Sequence, residues 1–246
     1  MAEQSSQRAT NPEAGRLRDE TGSGKGSLRK FAYDQIEDLL NTSRLKPGQL
    51  ISQRELVELT GATLSSIREA IPRFEAEGLL VTVPKKGLKV PSLDVTFVRD
   101  AYQVRRMIEC SAVSDMVRRL DDETIAGFID KQKSLLKELK THKGSAPQPL
   151  LDRIQRDDWT MHATFVHTMR NVLIDNIYRV TAIKIRMVAQ SRLKVTAENA
   201  ERIFGEHLTI LEPLAARDRE ETERALKRHI DNSLTVALGG NIEITS

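Results

Sequence analysis

The sequence predicts a mainly α-helical protein in two parts: a three-helix unit closed by a β-hairpin, then a six-helix antiparallel bundle. Three observations carry this. From Leu28 onward, apolar residues recur every three or four positions, the spacing of one helix face. That rhythm breaks once, into a β-rich run (Leu79 to Val83), a Pro84-Lys85-Lys86-Gly87 turn and a second run, Leu88 to Val90. After Ser92 the helical rhythm resumes and persists to residue 238, interrupted mainly where Gly and Pro cluster.

Residues 1–27 hold Ser, Gln, Gly, Thr and mixed charges with almost nothing apolar, so a disordered tail is expected there. Phe31, Ile36, Leu39 and Leu40 mark a first helix that ends before Lys46-Pro47-Gly48. Ser52, with Glu55 three residues on, is a capping box opening a second helix whose inner face is Leu56, Val57 and Leu59. Gly61-Ala62 breaks it. Thr63 caps a third helix, and Ile67, Ala70, Ile71 and Phe74 carry its apolar face to Gly78. Three helices and a hairpin make residues 28–91 a winged helix-turn-helix. Residues 92–240 read as helices near 94–119, 121–140, 150–169, 172–194, 196–216 and 218–238, with a loop from His142 to Pro149. Thr196 and Asp218 serve as N-caps. Six antiparallel helices of this length pack as a bundle.

Composition narrows the function. Hydrophobic residues make up 39% and charged residues 30%, enough to bury the cores of two soluble domains. No apolar run approaches the roughly 20 residues that cross a bilayer, and the first 27 residues lack an apolar leader, so a cytoplasmic protein is expected. A single Cys110 excludes a disulfide framework and any cysteine-rich zinc site. Aromatics at 4% argue against stacking platforms for single strands. The net charge is only +3, so DNA binding must rest on where basic residues sit.

Thr63, Ser65 and Ser66 stand at the start of the third helix, where amides and hydroxyls can meet phosphates or base edges in a major groove. Arg68 follows about one turn on, within reach of phosphate or guanine. Arg54 is spaced to hold the backbone, and Lys85 and Lys86 flank Gly87 at the hairpin tip, which can approach the minor groove. These residues belong to five ordered pieces: Leu45-Lys46-Pro47-Gly48-Gln49-Leu50, Gln53-Arg54-Glu55-Leu56, Ser66-Ile67-Arg68-Glu69-Ala70, Glu75-Ala76-Glu77-Gly78-Leu79 and Pro84-Lys85-Lys86-Gly87. In that order they resemble the winged helix of the GntR family. The resemblance implies that Arg54, Thr63, Ser65, Ser66, Arg68 and Gly87 contact double-stranded operator DNA. It departs at Leu64, where the family often carries arginine, and at Pro72, which removes a helical hydrogen bond and should bend the recognition helix.

Three of the five histidines behave alike. Asp158, His162, Phe165, Val166 and Met169 share one face of a helix, with Asp158 and His162 one turn apart. His207 lies with Ile203, Ile210, Leu211 and Leu214, and His229 with Ala225, Leu226 and Val236. A lone inward histidine is more often a satisfied core residue than a ligand. Three facing one interior beside an aspartate would cost several kcal/mol unpartnered, and one divalent cation satisfies all four. The set suits Zn²⁺ first, with Ni²⁺ as the alternative.

Val104-Arg105-Arg106-Met107-Ile108-Glu109, Asp158 with His162, Glu206-His207 and His229 resemble the FCD effector domain of the FadR branch of the GntR family, and six helices resemble its VanR subgroup. The resemblance implies a homodimeric repressor, a metal on Asp158, His162, His207 and His229, and a small carboxylate-bearing effector. Arg105, in line with Val98, Ala101 and Ile108, is a candidate partner for that carboxylate; its alternative is an intrahelical pair with Glu109. Arg186 and Asn232 are further candidates. Two other readings remain: a sensor of the metal itself, and a metal-dependent hydrolase, which lacks a His-Glu-x-x-His motif or an evident general base here.

Overall fold

The computed structural model describes residues 21–42, 44–92, 94–142, 146–189, 195–240 and 242. Residues 1–20 of the expected tail lie outside these. Residues 21–27 correct that expectation, because they form the opening turns of α1 (Thr21–Asn41). Once the buried face of Ala32, Tyr33, Ile36, Leu39 and Leu40 anchors a helix, each added residue gains one backbone bond without any apolar side chain. Phe31 and Leu28 lie off that face and are exposed.

Helix α2 (Gln53–Thr60) opens on the expected capping box: Glu55 N–H donates to Ser52 Oγ at 3.1 Å, and Ser52 N–H to Glu55 Oε2 at 2.7 Å. Leu59, placed on the inner face by spacing, is exposed. Helix α3 (Leu64–Ala76) starts at Thr63 and runs through Pro72. Strands β1 (Leu50–Ile51), β2 (Val81–Val83) and β3 (Gly87–Lys89) form an antiparallel sheet ordered β1-β3-β2, with Leu50 opposite Lys89 and Val83 opposite Gly87. The wing is thus three-stranded where the sequence predicts a hairpin; a two-residue strand is too short to show alternation.

Among the described residues six helices follow: α4 (Val95–Arg119), α5 (Asp122–Thr141), α6 (Gln148–His167), α7 (Val172–Ala189), α8 (Ala197–Ala215) and α9 (Arg219–Ala237). Asp94, Asp121, Thr196 and Asp218 cap α4, α5, α8 and α9 through their side chains. Helix α6 begins earlier than expected because Pro149 sits in its first turn, where its missing N–H costs nothing. The expected extension of α7 to 194 lies outside the described residues. Tyr102, Val113, Met116, Phe165, Ile210, Leu211 and Leu226 are in the main bundle core.

The two parts share a seam. Ile183 and Met187 of α7 are buried in the same cluster as Leu40, Leu56 and Phe74 of the winged helix. Beside them Arg179 donates to Tyr33 Oη at 2.6 Å, Glu37 Oε2 at 2.5 Å and Glu77 Oε1 at 2.7 Å. Tyr33 stacks on Phe74 with ring centroids 4.4 Å apart, so charge and apolar surface hold α1, α3 and α7 together.

Candidate metal and effector site

Helix α6 brings Asp158 and His162 to one face, α8 supplies His207 and α9 His229. The four offer ligand atoms that all lie within 4.8 Å of one another. The imidazole centroids are 4.9 to 5.5 Å apart, and all three rings are buried. The convergence inferred from helical spacing is therefore present.

Each imidazole is tied back through Nδ1. His162 donates to Glu109 Oε2 at 2.7 Å, His229 to Glu206 Oε2 at 2.8 Å, and His207 to Gln132 Oε1 at 3.1 Å. An ionised carboxylate or an amide oxygen can only accept, so Nδ1 carries a proton and a neutral ring keeps its lone pair on Nε2. Among the described residues, His162 Nε2 and His207 Nε2 are buried without a hydrogen-bond partner. Asp158 Oδ1 comes within 3.0 Å of His207 Nε2 and 3.8 Å of His162 Nε2, yet neither nitrogen is hydrogen-bonded to it. Two buried nitrogens left so would cost about 1–3 kcal/mol each. A cation between lone pairs and carboxylate removes that cost, so the donor set fits one.

The electrostatics keep the donors in their binding forms. Burial pushes His229 down to about 4 against the pull of Glu206, and burial likewise lowers His207 against Asp158. Both rings are therefore neutral near pH 7. Burial would raise Asp158, but His207, His162 and Arg105 hold it well below the usual carboxylate range. Glu109 is buried too, and Arg105 with His162 keeps it ionised. Glu206 is held at about 2 by His229, Arg202 and Asn232 despite its burial.

Beside this cluster lies a cavity of about 150 Å³. Its lining includes Arg105, Asp158, His162, His229 and Arg186, with Trp159, Ile185 and Val236 as apolar wall. Arg105 forms the intrahelical pair, donating from Nε to Glu109 Oε1 at 2.5 Å, and it also borders the cavity. Tyr102 Oη, also on the wall, is buried and unpartnered among the described residues. Asn232 is a correction. It does not line the cavity but donates to Glu206 Oε1 at 2.9 Å, bracing the carboxylate behind His229. Helical periodicity gives a residue's face, not its partner across the bundle.

Gln132 was missed. It occupies the apolar line of Ile125, Ile129, Leu135 and Leu139 on α5, and a lone amide on such a line was the available signal. Trp159, beside Asp158 in the chain, forms cavity wall.

On the winged helix, Arg54, Thr63, Ser65, Arg68, Lys85 and Lys86 stand at the surface. Arg68 Nε donates to Gln53 Oε1 at 3.0 Å, which aligns its guanidinium beside α2. Ser66 departs from the expected set. It is 4% exposed, and its hydroxyl donates to Thr63 O at 2.9 Å, because one turn of helix rotates it under the cap. Gly87 is constrained from inside the fold: φ is +100°, and a Cβ there would meet Ile51 O at 2.7 Å.

Known proteins agree with this architecture. The family of FCD domains matches residues 100–232, and that of bacterial regulatory proteins, gntR family, matches residues 28–90. An uncharacterized HTH-type transcriptional regulator, YdhC of Bacillus subtilis, is 25% identical over 201 residues, covering 81% of this chain and 86% of its own. The HTH-type transcriptional repressor GlaR of Escherichia coli is 23% identical over 225 residues, covering 85% and 96%. Among solved structures, E. coli McbR/YncC superposes with a TM-score of 0.71 at 17% identity, covering 85% of this chain and 96% of that one. Three helices and a wing joined to a six-helix bundle, matched along both halves, place the chain in the GntR family of bacterial DNA-binding transcriptional regulators, with an FCD domain as its C-terminal part.

Proposed function

We propose that this regulator is a metal-containing repressor, released from double-stranded operator DNA when a small carboxylate-bearing molecule enters the bundle. The carrying observation is the set of buried Nε2 atoms and a carboxylate converging on one point, each ring locked from behind through Nδ1. Asp158, His162, His207 and His229 hold the ion, Zn²⁺ first and Ni²⁺ as the alternative. When bound, it supplies a Lewis-acid anchor for a ligand carboxylate. Arg105 and Tyr102 then orient that acid from the cavity wall, and Arg186 offers a second cation. A cavity of about 150 Å³ suits a small guest, since a void of similar size takes up benzene.

Residues 28–91 read the operator through Arg54, Thr63, Ser65, Arg68, Lys85 and Lys86, while Ser66 and Gly87 shape the elements that present them. Residues 92–240 receive the effector. Repression is supported by the relative named as a repressor. A homodimer is supported by exposed apolar residues: Leu173 and Ile177 one turn apart on α7, and Met107 on the adjoining α4. No helix among the described residues is long and apolar enough to cross a membrane, in keeping with a site of action on cytoplasmic DNA.

The test is a thermal-shift screen of organic acids on the metal-loaded protein. An effector raises the melting temperature, and His162→Ala abolishes both metal retention and that response. Absence of bound metal, or an unchanged response in His162→Ala, overturns the proposal. Release of a DNA fragment selected from random sequence by metal alone, with no acid required, makes the ion itself the signal.

A further inference from the structure

The cavity is walled in part by the DNA reader. Asn41 and Thr42, at the C-terminal end of α1, line it together with Arg186 of α7. Arg186 donates from Nε to Asn41 Oδ1 at 2.9 Å and lays its guanidinium over Trp159, 4.2 Å from the ring centroid. Trp159 follows Asp158 directly, so this contact sits beside the metal cluster. Three other arginines line the wall: Arg105 pairs with Glu109 and Arg202 with Glu206, while Arg156 is exposed to solvent. Arg186 makes no salt bridge among the described residues; a neutral amide oxygen occupies its Nε.

A guanidinium at a cavity wall whose Nε meets a neutral amide oxygen binds a carboxylate more strongly than that amide, because a carboxylate supplies charge as well as two acceptors. We propose that Arg186 is a relay: the effector carries two acid groups, and the second takes Arg186 from Asn41 while the first lies at the metal cluster. The inference rests on the effector reading above and deepens it, naming the ligand class as short dicarboxylates. Asn41 is the last residue of α1, and this helix also carries Tyr33 and Glu37, the partners of Arg179 two turns earlier on α7. Arg179 and Arg186 are therefore two tethers from one bundle helix to the first helix of the reader. Exchange at Arg186 frees the end of α1 and leaves the Arg179 tether intact. The ligand thereby acquires the differential interaction with two states that any allosteric shift requires.

The experiment is calorimetric titration of the metal-loaded full chain with succinate and glutarate against butyrate and valerate. Replacing a neutral amide acceptor on the guanidinium with a carboxylate predicts dicarboxylates about tenfold tighter than their monocarboxylate counterparts. Asn41→Ala removes the competing amide and tightens dicarboxylates several-fold, leaving monocarboxylates unchanged. Asn41→Asp installs a permanent partner and weakens dicarboxylates by about tenfold or more. The opposite signs keep the test decisive if one variant folds poorly. Amide exchange in the last turn of α1 rises with glutarate and not with valerate. Equal affinities for the two acid series, or Asn41 variants that shift both series alike, overturn the relay while leaving the effector reading intact. No binding of any acid to the metal-loaded chain overturns both, and the thermal-shift screen then fails as well.

Discussion

Replacing Glu109 by glutamine swaps one carboxylate oxygen for an amide nitrogen and should cripple the metal cluster without touching a ligand. The wild-type carboxylate accepts three hydrogen bonds, from Arg105 Nε at 2.5 Å and Tyr178 Oη at 2.7 Å on one oxygen and from His162 Nδ1 at 2.7 Å on the other. Glutamine has one accepting oxygen and an amide that only donates. Arg105 cannot cease to donate, so the oxygen stays with Arg105 and Tyr178, and the new NH₂ faces His162. The imidazole must then accept at Nδ1 and carry its proton on Nε2, the atom the metal needs. Loss of such a supporting partner lowers metal affinity by about 10–100-fold, or about 1.4–2.8 kcal/mol. The same substitution strips the buried Arg105 of its counter-charge, at a cost of about 3–5 kcal/mol in stability. Competition against a chromophoric chelator measures the first effect, chemical denaturation the second, and ¹⁵N shifts of His162 report the tautomer. Metal affinity within about threefold of wild type, with His162 still protonated on Nδ1, would refute the reasoning.

Three further outcomes are expected. In the chelated protein, His229 titrates near 4 folded against 6.5 unfolded, so the unfolded chain takes up the proton first as pH falls. Stability is lost between about pH 6.5 and 4, by on the order of 3 kcal/mol; denaturation at several pH values shows this decline, and excess Zn²⁺ shifts it to lower pH. Gly87→Ala combines a positive φ with a 2.7 Å approach to Ile51 O and costs about 1–3 kcal/mol, read as a lower melting temperature; an unchanged one contradicts the pairing of β3 against β1. Arg54→Ala weakens binding to DNA of arbitrary sequence and lowers the salt-dependence slope by about 1, measured by fluorescence anisotropy at several salt concentrations.

Much of the bundle was legible because long amphipathic helices repeat the same spacing many times. Ser52, Thr63, Thr196 and Asp218 could be named as caps since each bonds within its own first turn. Strand β1 was illegible: two residues paired to a strand nearly forty positions away leave no local pattern. The convergence of Asp158 with the three histidines was readable for a like reason to the helices. Asp158 and His162 are i, i+4 neighbours, and His207 and His229 each share a line with apolar residues. What lies behind the rings was less so. Glu109 read as an intrahelical partner of Arg105, which it is, but its bond to His162 spans two helices. Asn41 had no signal at all, because its bond with Arg186 joins residues 145 positions apart.

The burial of Ile183 and Met187 among winged-helix side chains bears on modularity. A fragment cut after residue 91 would keep every strand and helix of its own yet expose a hollow shaped for two absent residues. Grafting this reader onto a foreign receptor would therefore require carrying α7 along or refilling that hollow with new apolar side chains. Chimaeras that respect only the linker should aggregate, whereas those that transplant the α7 surface should remain soluble and keep their affinity for DNA.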